Sequence, residues 1–236
     1  MIYDPLRQDD TPAHSAPPIT MSPPHTGNPA FPHGKNDYGE LKRNKKDRNQ
    51  KALAHAAASL VVEAGLDAAT VSAIAQRAGV SQRTFHNYFN SREEALVTFN
   101  FECITALVDD MTLHPDDWSL YRKTEAVVLK HLEKDEADPV SLYSISTLSE
   151  HLHAHATQAE LAMMNENRHN INELVAKIFP DLDPFTLRVQ LAISSAVAST
   201  ALKAYFEQHG VNNFTNPEEA KRLVTTAFDQ LRTMDV

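Results

Sequence analysis

The sequence predicts an all-α protein, and three observations carry that expectation. From Leu41 onward every segment of useful length repeats its apolar residues at helical rather than strand spacing. Six glycines stand against thirteen prolines, an unusual ratio for an α/β enzyme, whose phosphate loops and tight strand turns consume glycine. The prolines outside the N-terminal region, Pro115, Pro139, Pro180, Pro184 and Pro217, fall between apolar-periodic runs, where proline starts or ends helices.

Residues 1–34 hold eight of the thirteen prolines and almost no repeated apolar spacing. They cannot bury enough surface to offset chain entropy, and the expectation is a disordered tail over residues 1–40. A first helix is expected from about Asp47 to Ala64, with Leu53, Ala57, Leu60, Val61 and Ala64 on one stripe and Gly65 as its stop. Thr70 can cap a short second helix with Val71, Ile74, Ala75 and Ala78 inward. Gly79 ends it, and Ser81 caps a third. Two short helices joined by Gly-Val-Ser make a helix-turn-helix signal. In the third, Phe85 and Phe89 at i and i+4 bury one face and leave Gln82, Arg83, His86 and Asn87 pointing elsewhere. A fourth helix opens at Ser91-Arg92-Glu93-Glu94, expected as a capping box between Ser91 and Glu94. Five more helical runs follow, at about 116–134, 139–153, 157–179, 184–208 and 217–234, giving about nine helices. The clearest starts are Asp183-Pro184 and Asn216-Pro217, each a capping side chain followed by proline.

The net charge of −9 is unevenly spread. Residues 1–34 carry −2, residues 35–92 carry +5 from ten basic and five acidic side chains, and residues 93–236 carry −12. A basic segment on an acidic remainder implies a charged partner for that segment alone. Lys42 to Lys51 holds six cations against one anion, which reads as an arm following phosphates or reaching the minor groove. A solvated basic helix start is the simpler alternative.

The ordered string Thr70-Val71-Ser72-Ala73-Ile74-Ala75-Gln76-Arg77-Ala78-Gly79-Val80-Ser81-Gln82-Arg83-Thr84-Phe85-His86-Asn87-Tyr88-Phe89-Asn90-Ser91-Arg92-Glu93-Glu94-Ala95-Leu96 resembles the N-terminal domain of the TetR family of bacterial transcriptional repressors. The resemblance runs from near Asp47 to Leu96. Beyond it the chain is similar to the family only in length and helical layout. It implies a homodimeric repressor with residues 41–96 binding a palindromic double-stranded DNA operator and residues 97–236 dimerising and sensing a small molecule. The family usually has Tyr where this chain has His86 and often Lys where it has Arg92.

The expected DNA-contacting residues are Lys45, Lys46, Arg48, Thr70, Ser81, Gln82, Arg83, Thr84, His86, Asn87, Tyr88 and Arg92. Gln82, Arg83, His86 and Asn87 supply donors and acceptors for base edges, and the planar fork of Arg83 matches a guanine. Thr70, Thr84, Tyr88 and Arg92 suit phosphate oxygens. Tyr88 is equally readable as a half-buried packing residue.

The acidic body has no reason to touch DNA. Its Ala- and Ser-rich stretch Leu191 to Ala204 is expected to pair with Leu223, Val224, Ala227, Phe228 and Leu231 of the last helix in a four-helix dimer interface; an ordinary intramolecular core is the alternative. Effector-binding candidates are polar residues in apolar helices: Asn165, Arg168, His169 and Arg188. The motif Arg83 to Phe89 is similar to that of regulators responding to acyl-CoA or related lipophilic ligands. His151 and His155 share a helix face and suggest a metal pair completed by Glu150 or His169, against the simpler reading of surface histidines.

Several classes are opposed. The single cysteine, Cys103, excludes an intramolecular disulfide framework and a multi-thiolate zinc site. No uninterrupted apolar run approaches the roughly 18 to 20 residues that span a bilayer, and no signal-peptide pattern opens the chain. A soluble cytoplasmic, nucleoid-associated protein without a cofactor is expected. No nucleophile motif, recognisable carboxylate pair or cofactor loop supports the competing class, an all-α enzyme. A metal-responsive or activating regulator on the same scaffold remains open.

Overall fold

A computed structural model describes residues 35–133, 142–209 and 216–233. It divides the chain into two units, Met1–Glu40 and Leu41–Val236. In the first, the described residues are helical.

The described residues form nine α-helices and no strand: α1 (Lys35–Ala64), α2 (Val71–Arg77), α3 (Gln82–His86), α4 (Arg92–Met111), α5 (Leu120–His131), α6 (Leu142–His155), α7 (Gln158–Ile178), α8 (Pro184–His209) and α9 (Pro217–Thr233). A single 3-10 turn, Leu66–Ala68, separates α1 from α2. The all-α expectation holds. The helix α1 begins earlier than the apolar stripe predicts, because its first turns carry no apolar repeat to read. The run expected from residue 116 begins at α5 instead: Pro115 to Trp118 forms a turn, with the Trp118 N–H on the Pro115 carbonyl at 3.1 Å, and Ser119 caps the helix.

Three apolar clusters hold the described helices together. The first joins Leu53, Ala57, Ile74, Phe85 and Phe89 to Leu96 and Phe99 of α4 and Leu148 and Leu152 of α6. Because α4 contributes to it from its first turns, the helix-turn-helix is welded to the body rather than tethered. The second packs α8 on α9 through Leu202, Tyr205, Phe206, Val224 and Phe228. The third lies among α4, α5, α7 and α8, around Val108, Leu120, Ile171, Val175 and Leu187.

The helix α8 differs from expectation in one respect. Among the described residues it alone is long and apolar enough to cross a membrane by length and composition, yet only 28 % of its most apolar window is buried. Serines and threonines interrupt it, so no uninterrupted run shows in the sequence. Its outer side exposes Val189, Ala192, Ser195, Ala196, Ser199 and Thr200, and Phe185 is 69 % exposed. This is an apolar, small-residue face that no described residue covers. By contrast Val224 and Phe228, expected at the dimer interface, are fully buried in the α8–α9 core: the alternating small residues of α8 give it two faces, and the larger residues of α9 fill the inner one.

Candidate nucleic-acid interface

The α2–turn–α3 unit is set by its caps. The Thr70 hydroxyl accepts the Ala73 N–H at 3.2 Å and the Ser81 hydroxyl accepts the Thr84 N–H at 3.1 Å. Between them α2 stops in a full Schellman arrangement: the Val80 N–H reaches the Ala75 carbonyl at 2.9 Å and the Gly79 N–H that of Gln76 at 3.1 Å. This needs a left-handed residue, and Gly79 has φ +68°. A Cβ there would meet nothing within 4 Å, so glycine is demanded by the backbone angle rather than by space.

Burial then orients α3. Phe85 and Phe89 are fully buried with rings 5.7 Å apart, which turns Gln82, Arg83, His86 and Asn87 outward, all four exposed. Thr84 is half-buried, and its hydroxyl lies 2.9 Å from that of Ser81. Thr70 is exposed at the α2 start. Arg77 makes a two-pronged pair with Glu63 at 2.6 and 2.5 Å, fixing α2 to α1 and lowering the Glu63 carboxyl through its hydrogen bonds to Arg77. Arg83, in contrast, makes no ion pair among the described residues. Lys46 and Arg48 are exposed on α1; the side chain of Lys45 lies outside the described residues.

Two expected phosphate ligands also have internal duties. Tyr88 is half-buried, and its hydroxyl accepts from Asn49 Nδ2 at 3.2 Å, leaving its own proton to donate. Arg92 donates to the Leu66 carbonyl at 2.9 Å and to Glu93 at 2.6 Å, tying the 3-10 turn to α4. Asn49 was not singled out from the sequence, where nothing marks one asparagine in a basic run.

The start of α4 departs from the expected capping box. Ser91 does accept the Glu94 N–H at 2.9 Å, but Glu94 returns to the N–H of Asn90, at 2.7 Å, one residue early. The Ser91 hydroxyl instead donates to Glu160 at 2.8 Å. Glu160 belongs to a complete capping box with Thr157 at the start of α7, so one carboxylate caps α7 and ties it to α4. Burial raises its pKa, but the hydrogen bonds from Thr157 and Ser91 outweigh that and leave it lowered.

In the body, Asn165, Arg168, His169 and Arg188 are all exposed. His169 pairs with Glu173 at 3.3 Å and Arg188 donates to the Pro184 carbonyl at 3.0 Å. Asn165, Arg168 and His169 stand on α7 and Arg188 on α8. His151 and His155 do meet, with stacked rings 4.4 Å apart, but His169 is engaged elsewhere, the Glu150 side chain lies outside the described residues, and no group of three or more ligating side chains occurs among the described residues.

A short capped reading helix, held rigidly on an all-helical body and presenting amide, guanidinium and imidazole groups outward, defines a helix-turn-helix DNA-binding protein. Residues 53–97 match the sequence model of the bacterial regulatory proteins of the tetR family. The helix-turn-helix domain of this chain therefore belongs to the TetR family. Solved structures with the same fold include a transcriptional regulator from Rhodococcus sp. Rha1, 18 % identical with a TM-score of 0.54 over 79 % of this chain and 98 % of that one. The fatty acid degradation regulator FadR of Bacillus halodurans is 17 % identical, TM-score 0.55, over 79 % and 95 %. FadR of Bacillus subtilis, solved in complex with stearoyl-CoA, is 16 % identical, TM-score 0.53, over 77 % and 97 %. A comparison with curated protein sequences finds no match.

Proposed function

We propose that this protein is a cytoplasmic homodimeric repressor that binds a palindromic operator and is released by a small lipophilic, acyl-CoA-like effector. The observation that carries the DNA half is the exposed polar face of α3 in a TetR-family helix-turn-helix. In this reading Gln82, Arg83, His86 and Asn87 meet base edges in the major groove, and Thr70, Ser81, Thr84, Tyr88 and the free donors of Arg92 meet phosphates. The exposed cations of α1, Lys46 and Arg48, add a sequence-independent, salt-dependent term with Lys45. Residues 41–96 form the DNA-binding part, residues 97–236 the sensing and dimerising part, and residues 1–40 a tail.

The uncovered α8 face supports dimerisation. Small side chains let two helices approach closely, and a reading helix this short gains specificity by being doubled. The effector half is supported by the fold shared with a regulator that binds stearoyl-CoA. Release needs an effector that binds better to a conformation whose two reading helices are wrongly spaced. A coupling of about 1–3 kcal/mol gives a 5- to 150-fold change in DNA affinity. The ties that transmit it are Ser91 to Glu160 between α4 and α7, and Asn100 Nδ2 to Ser149 at 2.7 Å between α4 and α6.

The test compares Arg83→Ala with a deletion of residues 42–46 on specific and random DNA. Arg83→Ala is expected to cost about 1–3 kcal/mol on the operator and to relax preference at one position. The deletion should weaken both DNAs alike and flatten the salt dependence. Equal losses on both DNAs for Arg83→Ala would contradict the base-reading role. Reporter output with and without the gene gives the sign of regulation.

A further inference from the structure

A polar contact joins the basic helix α1 to the end of the reading helix. Tyr88 lies two residues beyond α3, half-buried, and its ring packs against the first apolar cluster. Packing holds the ring but not the hydroxyl proton. Conjugation keeps a phenolic O–H close to the ring plane, which leaves that proton two positions. Asn49 Nδ2 donates to the phenol oxygen at 3.2 Å. An oxygen that accepts on one side directs its own proton to the other, and the accepted bond strengthens it as a donor. The position of Asn49 on α1 explains its reach. It stands one turn before Leu53, which is fully buried in the same cluster, so the apolar stripe of α1 ends on an amide at its rim. Lys46 and Arg48 beside it are exposed. Those two cations meet phosphates through charge, whereas an amide and a phenol offer hydrogen bonds alone.

We propose that Asn49 is a positioning residue for DNA: its amide fixes the hydroxyl of Tyr88 so that the phenolic proton is presented to a backbone phosphate. This deepens the operator-binding reading and rests on it for the phosphate. Two properties follow from the chemistry of the pair. A phosphate contact carries no sequence information, so the contribution of Asn49 is the same on any duplex. A neutral donor releases no counterion, so that contribution leaves the salt dependence of binding unaltered. The first property separates Asn49 from the base-edge residues of α3. The second separates it from the cations of α1, whose loss flattens the salt dependence.

Binding of the full chain to a fluorescent random-sequence DNA duplex, followed by anisotropy at several salt concentrations, tests it. Asn49→Ala is expected to weaken binding by about two- to tenfold, with an unchanged slope of log affinity against log salt. Alanine is a better helix former than asparagine, so α1 is retained, and circular dichroism checks it. Tyr88→Phe keeps the ring and removes the donated proton; it should weaken binding at least as much. In the Tyr88→Phe background Asn49→Ala should have no further effect. Equal losses for Asn49→Ala in both backgrounds would mean that the amide meets DNA itself or only shapes α1, and would overturn the proposal. An unchanged affinity for Asn49→Ala alone would overturn it too. So would a reduced salt slope, which would mean that Asn49 acts by orienting the cations of α1. Wild-type protein that binds no duplex at low salt would sink the DNA-binding reading and this inference with it. Any of the three contrary results beside normal wild-type binding would sink this inference alone.

Discussion

Glu160→Gln tests the joint between the DNA-binding helices and the body. Glu160 is 7 % exposed and takes two donors on its two oxygens: the Ser91 hydroxyl on Oε1 at 2.8 Å and the Thr157 N–H on Oε2 at 2.8 Å. Glutamine has the same shape but one acceptor. It can keep one bond, turns an NH2 group toward the other donor and loses the charge assistance of both. Charge-assisted bonds are worth about 1.5–3 kcal/mol each, and an unmet buried donor adds to the loss. The expected destabilisation at neutral pH is therefore about 2–3 kcal/mol, read from denaturant unfolding at one fixed protein concentration so that any association equilibrium cancels. Its pH dependence has a definite sign. The native carboxyl is lowered because the donations from Thr157 and Ser91 outweigh burial, so its stabilisation is complete above the unfolded-state value of about 4.3 and is lost as pH falls through the native one. The gap between wild type and Glu160→Gln should close in acid. A neutral-pH difference under about 0.5 kcal/mol, or a gap unchanged in acid, would refute the reasoning. A cycle with Ser91→Ala isolates the interhelix bond, since that variant also removes the α4 cap.

Three further outcomes are expected. Phe89→Ala empties a fully buried site in the first cluster; it should cost about 3–5 kcal/mol by thermal or denaturant unfolding, and operator binding should fall with it. Replacing Lys46 and Arg48 together by Ala should reduce the slope of log affinity against log salt by up to about two in fluorescence anisotropy, if each cation neutralises one phosphate. Ala196→Glu, on the uncovered side of α8, should leave the chain folded by circular dichroism but shift it to monomer in sedimentation velocity and abolish cooperative operator binding.

The fold was legible because its signals are local and repeated. Thr70, Ser81, Gly79 and the Phe85–Phe89 spacing are short-range devices, and the structure uses each as the residue chemistry dictates. Pro184 and Pro217 mark helix starts to the residue. What stayed illegible depends on long-range partners. Ser91-x-x-Glu94 satisfies a capping-box pattern, but a distant carboxylate, Glu160, draws the Ser91 hydroxyl and Glu94 reaches back one residue further. Asn165, Arg168, His169 and Arg188 interrupt apolar helices in the sequence, and in the structure all four are exposed.

The central claim is sequence-specific binding by a doubled reading helix, and selection from a random DNA pool by the purified protein at about 0.15 M salt, where nonspecific phosphate contacts are already weakened, tests it most directly. The account expects an enriched inverted repeat with half-sites about one helical turn apart, or a multiple of it, lost in Arg83→Ala. Enrichment of no motif by protein shown by mass spectrometry to be free of bound ligand would contradict it.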